Sequence, residues 1–252
     1  MPTALTAAEL YLDLMKKILI NTIYQDDDID RSLQSEPGSN ATRSSQDYDQ
    51  RHREVGLGWP RLAHTMVGLK RLDNLKECIE TVLADDVKGD FVETGVWRGG
   101  ACIMMRAILA AHGVTDRNVW VADSFEGMPA SDGADGFNDV LAVSETEVRE
   151  NFKRYDLLDE KVKFLHGWFR DTLPAAPISR LAVLRLDGDL YESTMDALGT
   201  LYPKLSAGGF VIVDDYAIEP CAKAVDDFRE ANGILDPITK VDWTGAYWRR
   251  SE

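Results

Sequence analysis

Apolar residues recur every three or four positions near the start of the chain, a spacing typical of an amphipathic helix. In residues 7–24, Tyr11, Leu14, Met15 and Ile18 fall on one helical face. Such a face needs an apolar partner, so the helix is predicted to pack against the main domain or against a second subunit. We therefore expect a homodimer.

Residues 25–58 lack this periodicity and are rich in polar and turn-forming side chains. The runs Gln25-Asp-Asp-Asp28 and Ser35-Glu-Pro-Gly-Ser-Asn40 cannot bury enough apolar surface to order this segment alone. The segment is predicted to be either a disordered linker or a mobile arm that closes on substrate as a lid. We divide the chain into an N-terminal helix with its arm, residues 1–58, and a main domain, residues 59–252.

Short apolar runs alternate with helical patterns from residue 59 onward. Five of these runs predict parallel strands. Three of them cover 89–96 (with the exit loop), 118–122 and 162–165, and the other two begin at residues 181 and 208. Helices are predicted at about 69–82, 101–111, 148–155, 193–205 and 222–230. Two final runs, 238–241 and 246–249, predict an antiparallel hairpin at the sheet edge. This order predicts a doubly wound, Rossmann-like α/β sheet with right-handed crossovers.

Paired carboxylates follow two of the predicted strands. Asp187 and Asp189 end the run LAVLRLDGDLY, and Asp214 and Asp215 end the run GGFVIVDDY. Because ligands bind beyond the carboxyl ends of strands in open α/β sheets, we expect all four on one rim. Clustered carboxylates need a cation, and their oxygens suit Mg²⁺ better than zinc. The alternative is that these residues only cap a helix and end a strand.

A glycine-rich loop, ETGVWRGG, follows the first predicted strand. Gly95 and Gly99 allow a tight turn close to a ligand, but their spacing is not that of a dinucleotide fingerprint. Glu93 attracts a cationic ligand and repels a diphosphate, which favours S-adenosylmethionine over NAD. Asp123, after the second strand, is placed to accept hydrogen bonds from ribose hydroxyls with either ligand. The alternative is a tight turn at the glycines and a capping role for Asp123.

Three residues near the end of the third predicted strand have two possible roles each. Trp168 and Phe169 either cover the adenine of a bound nucleoside or belong to the core. His166 is either a site residue or a solvated side chain.

The net charge of −15 argues against nucleic acid and anionic membranes as partners, since both attract basic proteins. Cys78, Cys102 and Cys221 match no zinc spacing and fit a reducing cytoplasm. No run reaches the about 20 apolar residues of a membrane span. Glu9 and Asp13 interrupt any secretory signal. A cytoplasmic protein with a small-molecule partner is expected.

The motifs together resemble the macrocin O-methyltransferase family. The matching stretches are LYLDL at 10–14, AHTMVGLK at 63–70, DFVETGVWRGGAC at 90–102, VWVADSF at 119–125, GWF at 167–169, the two carboxylate-ended runs at 181–191 and 208–216, and YWRR at 247–250. The resemblance implies a class I methyltransferase sheet and an S-adenosylmethionine- and Mg²⁺-dependent enzyme that methylates sugar hydroxyls in antibiotic biosynthesis. It does not specify the acceptor, because the arm and the loop at 126–139 depart from the family pattern.

Site residues also follow from the resemblance. It implies that Asp189, Asp214 and Asp215 bind Mg²⁺. It also implies a donor pocket that includes Thr65, Glu93 and Asp123. With their neighbours in the same motifs, the predicted donor-binding residues are Thr65, Glu93, Thr94, Gly95, Gly99, Asp123, Ser124, Gly167, Trp168, Phe169 and Asp187. Either Asp189 or Asp187 is the base that deprotonates the acceptor hydroxyl.

The predicted function is methyl transfer from S-adenosylmethionine to a sugar hydroxyl of a glycosylated natural product. The nearest alternative is metal-dependent O-methylation of a catechol or other phenol on the same fold, which would require an aromatic slot. A nicotinamide oxidoreductase is disfavoured by Glu93. A binding protein without catalysis is disfavoured by the intact carboxylate rim.

Overall fold

The computed structural model describes residues 4–29, 45–129 and 138–251. Helices α1 to α9 are Ala7–Leu19, Gln50–Val55, Leu69–Ala84, Gly100–Ala111, Asn138–Leu141, Glu145–Arg154, Phe169–Thr172, Tyr191–Leu201 and Glu219–Ala231, and a 3₁₀ turn, Tyr202–Lys204, follows α8. Strands β1 to β9 are Asp28–Ile29, Ser45–Gln46, Asp90–Thr94, Val119–Asp123, Val162–His166, Leu181–Leu186, Leu205–Val213, Thr239–Lys240 and Ala246–Arg249. None of these described helices is both long enough and apolar enough to cross a bilayer.

A seven-stranded sheet in the order β5-β4-β3-β6-β7-β9-β8 forms the centre of the described chain. Strands β3 to β7 are parallel, whereas β9 is antiparallel to both β7 and β8. The predicted doubly wound α/β sheet with an antiparallel edge hairpin is confirmed. The strand order reverses at β3, which pairs with β4 on one side and β6 on the other. Ligands bind at such a reversal.

Helices cover both faces of the sheet, which explains the continuous apolar character of its strands. All of β6 is buried. One layer of the core joins the sheet to α1, α3 and α4 through side chains such as Leu12, Leu75 and Ile103. The other layer joins it to α8 and α9 through Leu198 and Val225.

Helix α1 ends at Leu19, which is earlier than the predicted end at residue 24. Asn21 has a φ of 54°, which a helix cannot accommodate. The carbonyl of Ile20 accepts a hydrogen bond from Arg53 Nη1 at 2.9 Å instead of continuing the helix. A buried cation distant in sequence therefore sets the end of α1.

The predicted arm, residues 25–58, is described at both of its ends. The buried Arg53 pairs with Asp26 at 2.8 Å and with Asp28 at 2.7 Å. Asp26 also accepts the backbone N–H of Leu62 at 2.5 Å, so both described ends are attached to the chain that leads into the main domain. Residues 30–44 of the arm and residues 130–137 of the predicted loop lie outside the described residues.

The carboxyl ends of β3, β6 and β7 are level with one another. Thr94 pairs with Leu186, and Leu186 pairs with Val213. The backbone N–H of Asp187 donates to Thr94 O at 2.9 Å, and that of Asp214 donates to Leu186 O at 2.9 Å. These bonds extend the ladder by one residue, and they place the first carboxylate after each strand on a common rim.

Candidate active site

A cavity of about 750 Å³ opens at this rim. Its walls come from the loops after β3, β4, β5, β6 and β7, from residues 56–67 before α3, from the start of α8, and from Trp243 and Thr244 before β9. It therefore extends across the strand-order reversal, where the fold predicts a ligand site.

The predicted donor-binding residues that line this cavity come from several separate loops. They are Thr65, Glu93, Gly95, Asp123, Ser124, Trp168, Phe169 and Asp187. The fold thus brings together predicted residues that are up to 122 positions apart in the chain, from 65 to 187. Trp168 and Phe169 are both in the cavity wall, although Phe169 also packs partly against the core.

Gly95 is required by the shape of the loop. Its φ is 85°, and a Cβ at this position would overlap the carbonyl oxygen of Asp187. The close approach of the loop after β3 to the loop after β6 therefore depends on the missing side chain. This contact fixes the donor loop directly beside the carboxylate rim.

Asp123 shapes the loop as well as lining the cavity. Its Oδ2 accepts the N–H of Val96 at 2.7 Å, and its Oδ1 accepts the N–H of Phe125 at 2.8 Å. Burial raises the pKa of Asp123, while these backbone hydrogen bonds oppose that rise. Ser124 closes the adjacent turn by donating to Gly127 O at 2.9 Å. The capping role considered for Asp123 is therefore observed, and a carboxylate oxygen retains a second lone pair for a ribose hydroxyl.

Arg185 is a fully buried cation below the rim, on β6. It pairs with Glu93, with Asp187 at 2.6 Å, and with Asp214. Glu93 accepts the thiol of Cys102 at 2.8 Å on its other oxygen, and burial raises the pKa of Glu93. The cation that Glu93 meets within the chain is thus Arg185, and this ion pair links the donor side of the cavity to the carboxylate rim.

Arg71, on α3, is a second buried cation at the rim. It pairs with Asp214 and, through Nε, with Asp242 at 3.0 Å. Asp214 therefore has one guanidinium group on each carboxylate oxygen. Two remote parts of the chain, α3 and the turn before β9, are held against the end of β7 by this arrangement.

The carboxylate cluster itself consists of Asp187, Asp214 and Asp215. One oxygen from each lies within 4.8 Å of the others, a spacing that suits a shared metal ion. The predicted ligand Asp189 lies beside this group, where its carboxyl group hydrogen-bonds to Asp215. Asp189 has a φ of 53°, an uncommon conformation for a residue other than glycine.

Electrostatics at the cluster fit a bound divalent cation. Burial raises the pKa of Asp187 and Asp189, and repulsion from Asp214 adds to both shifts. Burial together with repulsion from Asp189 and Asp187 raises the pKa of Asp215 well above its ordinary value. Asp215 Oδ2 is buried and has no hydrogen-bond partner among the described residues. Carboxylate oxygens are hard donors that suit Mg²⁺, and the buried, unsatisfied oxygen of Asp215 would be satisfied by such an ion.

Other predicted residues do not line the cavity. Thr94 is buried in β3, Gly99 precedes α4, and Gly167 begins the turn after β5. His166 is 53% exposed and pairs with Glu145 at 2.9 Å, which fits the solvated alternative.

Sequence reasoning missed Arg71 and Arg185. Arg185 interrupts the apolar run of β6, and a charged residue inside a buried strand requires a partner. That interruption was the available signal. Arg71 carried no such signal, because it lies in a helix with many polar positions and its partner Asp214 is 143 residues away.

Comparison with known proteins finds a matching family and similar relatives over nearly the whole chain. The family described as Macrocin-O-methyltransferase (TylF) matches residues 8–250. The 8-demethyl-8-(2,3-dimethoxy-alpha-L-rhamnosyl)-tetracenomycin-C 4'-O-methyltransferase of Streptomyces olivaceus is 58% identical over 97% of this chain and 94% of its own length. The demethyldecarbamoylnovobiocin O-methyltransferase of Streptomyces niveus is 54% identical over the same shares, 97% and 94%.

A solved structure shows the same fold at high similarity. The O-methyltransferase NovP superposes with a TM-score of 0.88 at 54% identity, over 97% of this chain and all of its own. The likeness therefore extends over nearly the whole chain.

Proposed function

The chain belongs to the macrocin O-methyltransferase family and is an S-adenosylmethionine-dependent O-methyltransferase, and from this premise we propose that it uses Mg²⁺ to methylate a sugar hydroxyl of a glycosylated natural product. The observation that carries the proposal is the cluster of Asp187, Asp214 and Asp215 in the same cavity as the donor-binding residues. Antibiotic biosynthesis is the corresponding pathway class, since both curated relatives act on antibiotic intermediates by name.

Asp187, Asp214 and Asp215 would hold the ion, with Asp189 next to it. A bound Mg²⁺ would lower the pKa of an acceptor hydroxyl and orient it. Glu93, Asp123 and the loop at Gly95 would bind the methyl donor on the other side of Arg185.

We propose Asp189 as the base. Asp187 is held at 2.6 Å by Arg185 and is one of the three residues that would hold the ion, so its oxygens are already engaged. Asp189 has no guanidinium partner among the described residues, and its αL backbone conformation places its carboxyl group against Asp215. Asp187 is then a ligand of the ion that also holds Arg185 in the cluster.

The experiment is a methyl-transfer assay with labelled S-adenosylmethionine. The first acceptor is the demethylated rhamnosyl-tetracenomycin named for the Streptomyces olivaceus relative, and the second is demethyldecarbamoylnovobiocin. We expect a product heavier by one CH₂ group, with the new methyl on a sugar oxygen by NMR, in Mg²⁺ and not in a chelator. Transfer to a catechol with no transfer to either glycoside would contradict the sugar acceptor and support the phenol alternative.

We also propose a homodimer. Leu10 and Leu14 are 56% and 48% exposed on α1, one helical turn apart, while Leu12 and Met15 are buried against the domain. The exposed pair extends the apolar surface of α1 beyond what the domain covers. A second copy would bury this surface, and light scattering after size exclusion measures the mass.

A further inference from the structure

Arg71 is a buried cation in the cavity wall whose side chain contacts three separate parts of the chain. Its Nη1 donates to Asp214 and its Nε donates to Asp242 at 3.0 Å, and these side chains are at most 7% exposed. Its Nη2 donates to the carbonyl of Gly56 at 3.4 Å, and its guanidinium carbon lies 5.9 Å from the centre of the Trp243 ring. Because each nitrogen of this planar group bonds a different acceptor, its orientation is fixed.

Asp242 divides its two oxygens between the turn before β9 and Arg71. Its Oδ1 accepts the backbone N–H groups of Thr244 at 3.0 Å and Gly245 at 2.8 Å, whereas its Oδ2 accepts the Nε–H of Arg71. The turn therefore holds the carboxylate, and the carboxylate holds Arg71. Gly245 completes this fit, since a Cβ there would lie 2.9 Å from Arg71 Cδ. Asp242 itself does not line the cavity.

The carboxylate of Asp214 is fixed by two guanidinium groups. Arg71 bonds its Oδ2, and Arg185 on β6 bonds its Oδ1. Each oxygen of an ionised carboxylate has two lone pairs, so one on each oxygen remains for an ion. Hydrogen-bond partners of this kind orient a metal ligand, and the loss of one typically lowers metal affinity about 10- to 100-fold. The orientation of Asp214 within the cluster therefore depends on Arg71.

Charge and geometry have opposite consequences for Mg²⁺ at this point. A positive charge beside Asp214 repels a divalent cation, so on charge alone Arg71 would weaken Mg²⁺ binding. A carboxylate that is already ordered binds an ion without a further loss of side-chain entropy, so on geometry Arg71 would strengthen binding. Asp242 offsets the charge of Arg71, because the two form a buried ion pair. Orientation of Asp214 is then the larger effect.

We propose that Asp242 and Arg71 are positioning residues for the metal site: Asp242, outside the cavity, fixes Arg71, and Arg71 orients the carboxylate of Asp214 for the ion. The inference rests on the proposed Mg²⁺-dependent function and deepens it, because it names residues that set the affinity for the ion without being ligands. The same contacts hold the turn at Trp243 and the end of the arm at Gly56 against the carboxylate cluster. These two parts of the cavity wall therefore share one support with the metal site.

The test is a calorimetric Mg²⁺ titration of the full chain with S-adenosylmethionine present and no acceptor. The variants are Arg71→Lys, which keeps the charge but loses the planar fork, and Asp242→Asn, which keeps an oxygen for the turn but loses the ion pair. The matched controls are Arg106→Lys and Asp159→Asn. Arg106 is buried and pairs with Asp159, which also accepts the backbone N–H of Lys161 at 3.0 Å, and neither Arg106 nor Asp159 lines the cavity.

We expect Arg71→Lys and Asp242→Asn each to lower the Mg²⁺ affinity about 10- to 100-fold, with an unchanged affinity for S-adenosylmethionine. Methyl transfer to the glycoside acceptor, demethylated rhamnosyl-tetracenomycin, should need correspondingly more Mg²⁺ to reach half of its maximal rate. The kcat at saturating Mg²⁺ should recover, because the carboxylate ligands are intact. Both control variants should bind Mg²⁺ as the wild type does.

Wild-type Mg²⁺ affinity in Arg71→Lys or in Asp242→Asn would refute the positioning role, while Mg²⁺-dependent methyl transfer would stand. An equal loss of Mg²⁺ affinity in the controls would refute it as well. Loss of S-adenosylmethionine binding in both variants would also overturn it, since the two residues would then support the fold and not the ion. If the wild type binds no Mg²⁺, the proposed metal role fails, and the positioning role fails with it.

Discussion

Replacing Arg185 by methionine removes the cation at the centre of the carboxylate cluster while keeping an unbranched side chain. Glu93, Asp187 and Asp214 would each lose a partner in a region where Arg185 and Glu93 are only 2% exposed. Removing one partner of a buried ion pair typically destabilises a protein by about 3–5 kcal/mol. We expect a loss of that size in the free energy of unfolding, measured by urea titration with a chelator present.

The loss should depend on pH and on Mg²⁺. Without the guanidinium, the pKa values of Glu93 and Asp187 rise further above those of the unfolded chain, so the folded state binds more protons and its stability falls as pH rises. The deficit should therefore be larger at about pH 8 than at about pH 6. A divalent cation bound by Asp187 and Asp214 would replace part of the missing charge, so Mg²⁺ should recover part of the loss.

Arg106→Met is the matched control. Arg106 pairs with Asp159, whose side chain is 33% exposed and can be rehydrated, away from the cavity. We expect a smaller loss there, about 1 kcal/mol, with no recovery by Mg²⁺. A loss in Arg185→Met that is equal at both pH values and insensitive to Mg²⁺ would refute the electrostatic reasoning and leave only a packing role.

Three further outcomes follow from single residues. Gly95→Ala should weaken S-adenosylmethionine binding in calorimetry and destabilise the fold by about 1–3 kcal/mol, because its Cβ overlaps Asp187 O at a φ of 85°; unchanged donor binding would contradict the tight loop. Burial lowers the pKa of His64 from 6.5 to about 4, so the folded state binds fewer protons than the unfolded chain in this window. The wild type should lose stability as pH falls through that window, and His64→Gln should flatten the dependence in unfolding titrations; an identical pH profile would exclude His64. Leu14→Glu should convert the proposed dimer to a monomer in light scattering, whereas a monomeric wild type would exclude the dimer.

The fold was predictable because its periodic signals are long and consistent. Leu181–Leu186 is apolar because both of its faces are covered, and this pattern is visible in the sequence. Element ends were less predictable. The end of α1 depends on the hydrogen bond from Arg53 to the carbonyl of Ile20. The sequence near residue 20 does not indicate this contact, because the two residues meet only in the folded chain.

At the candidate site, the strand ends were predictable and the charge balance was not. Asp187 and Asp214 directly follow apolar strands, so the level ends of parallel strands bring them together. Their neutralisation by Arg185 and Arg71 depends on contacts across the sheet and from α3. The sequence suggested that a metal alone would balance the carboxylates, whereas the structure supplies two guanidinium groups for part of that charge. Asp215 Oδ2 is buried without a hydrogen-bond partner among the described residues, and this oxygen is the remaining reason to expect a bound cation.

Asp215→Asn is the substitution that separates the proposed metal role from the role of the ion pairs. Asp214 contacts both guanidinium groups, so changing it would disturb Arg71 and Arg185 as well. Asp215 has no such partner among the described residues, and its Oδ2 is unsatisfied. The exposed Asp116, outside the cavity, provides the matched control Asp116→Asn.

The decisive measurement is a calorimetric Mg²⁺ titration of the wild type, Asp215→Asn and Asp116→Asn, with methyl transfer to the glycoside recorded at each Mg²⁺ concentration. We expect one Mg²⁺ to bind the wild type and Asp116→Asn, with turnover rising in parallel with occupancy. Asp215→Asn should still bind S-adenosylmethionine but should lose both Mg²⁺ binding and turnover. Full turnover of the wild type in a chelator, or an unchanged Mg²⁺ affinity in Asp215→Asn, would contradict the proposed metal-dependent methyl transfer at this rim.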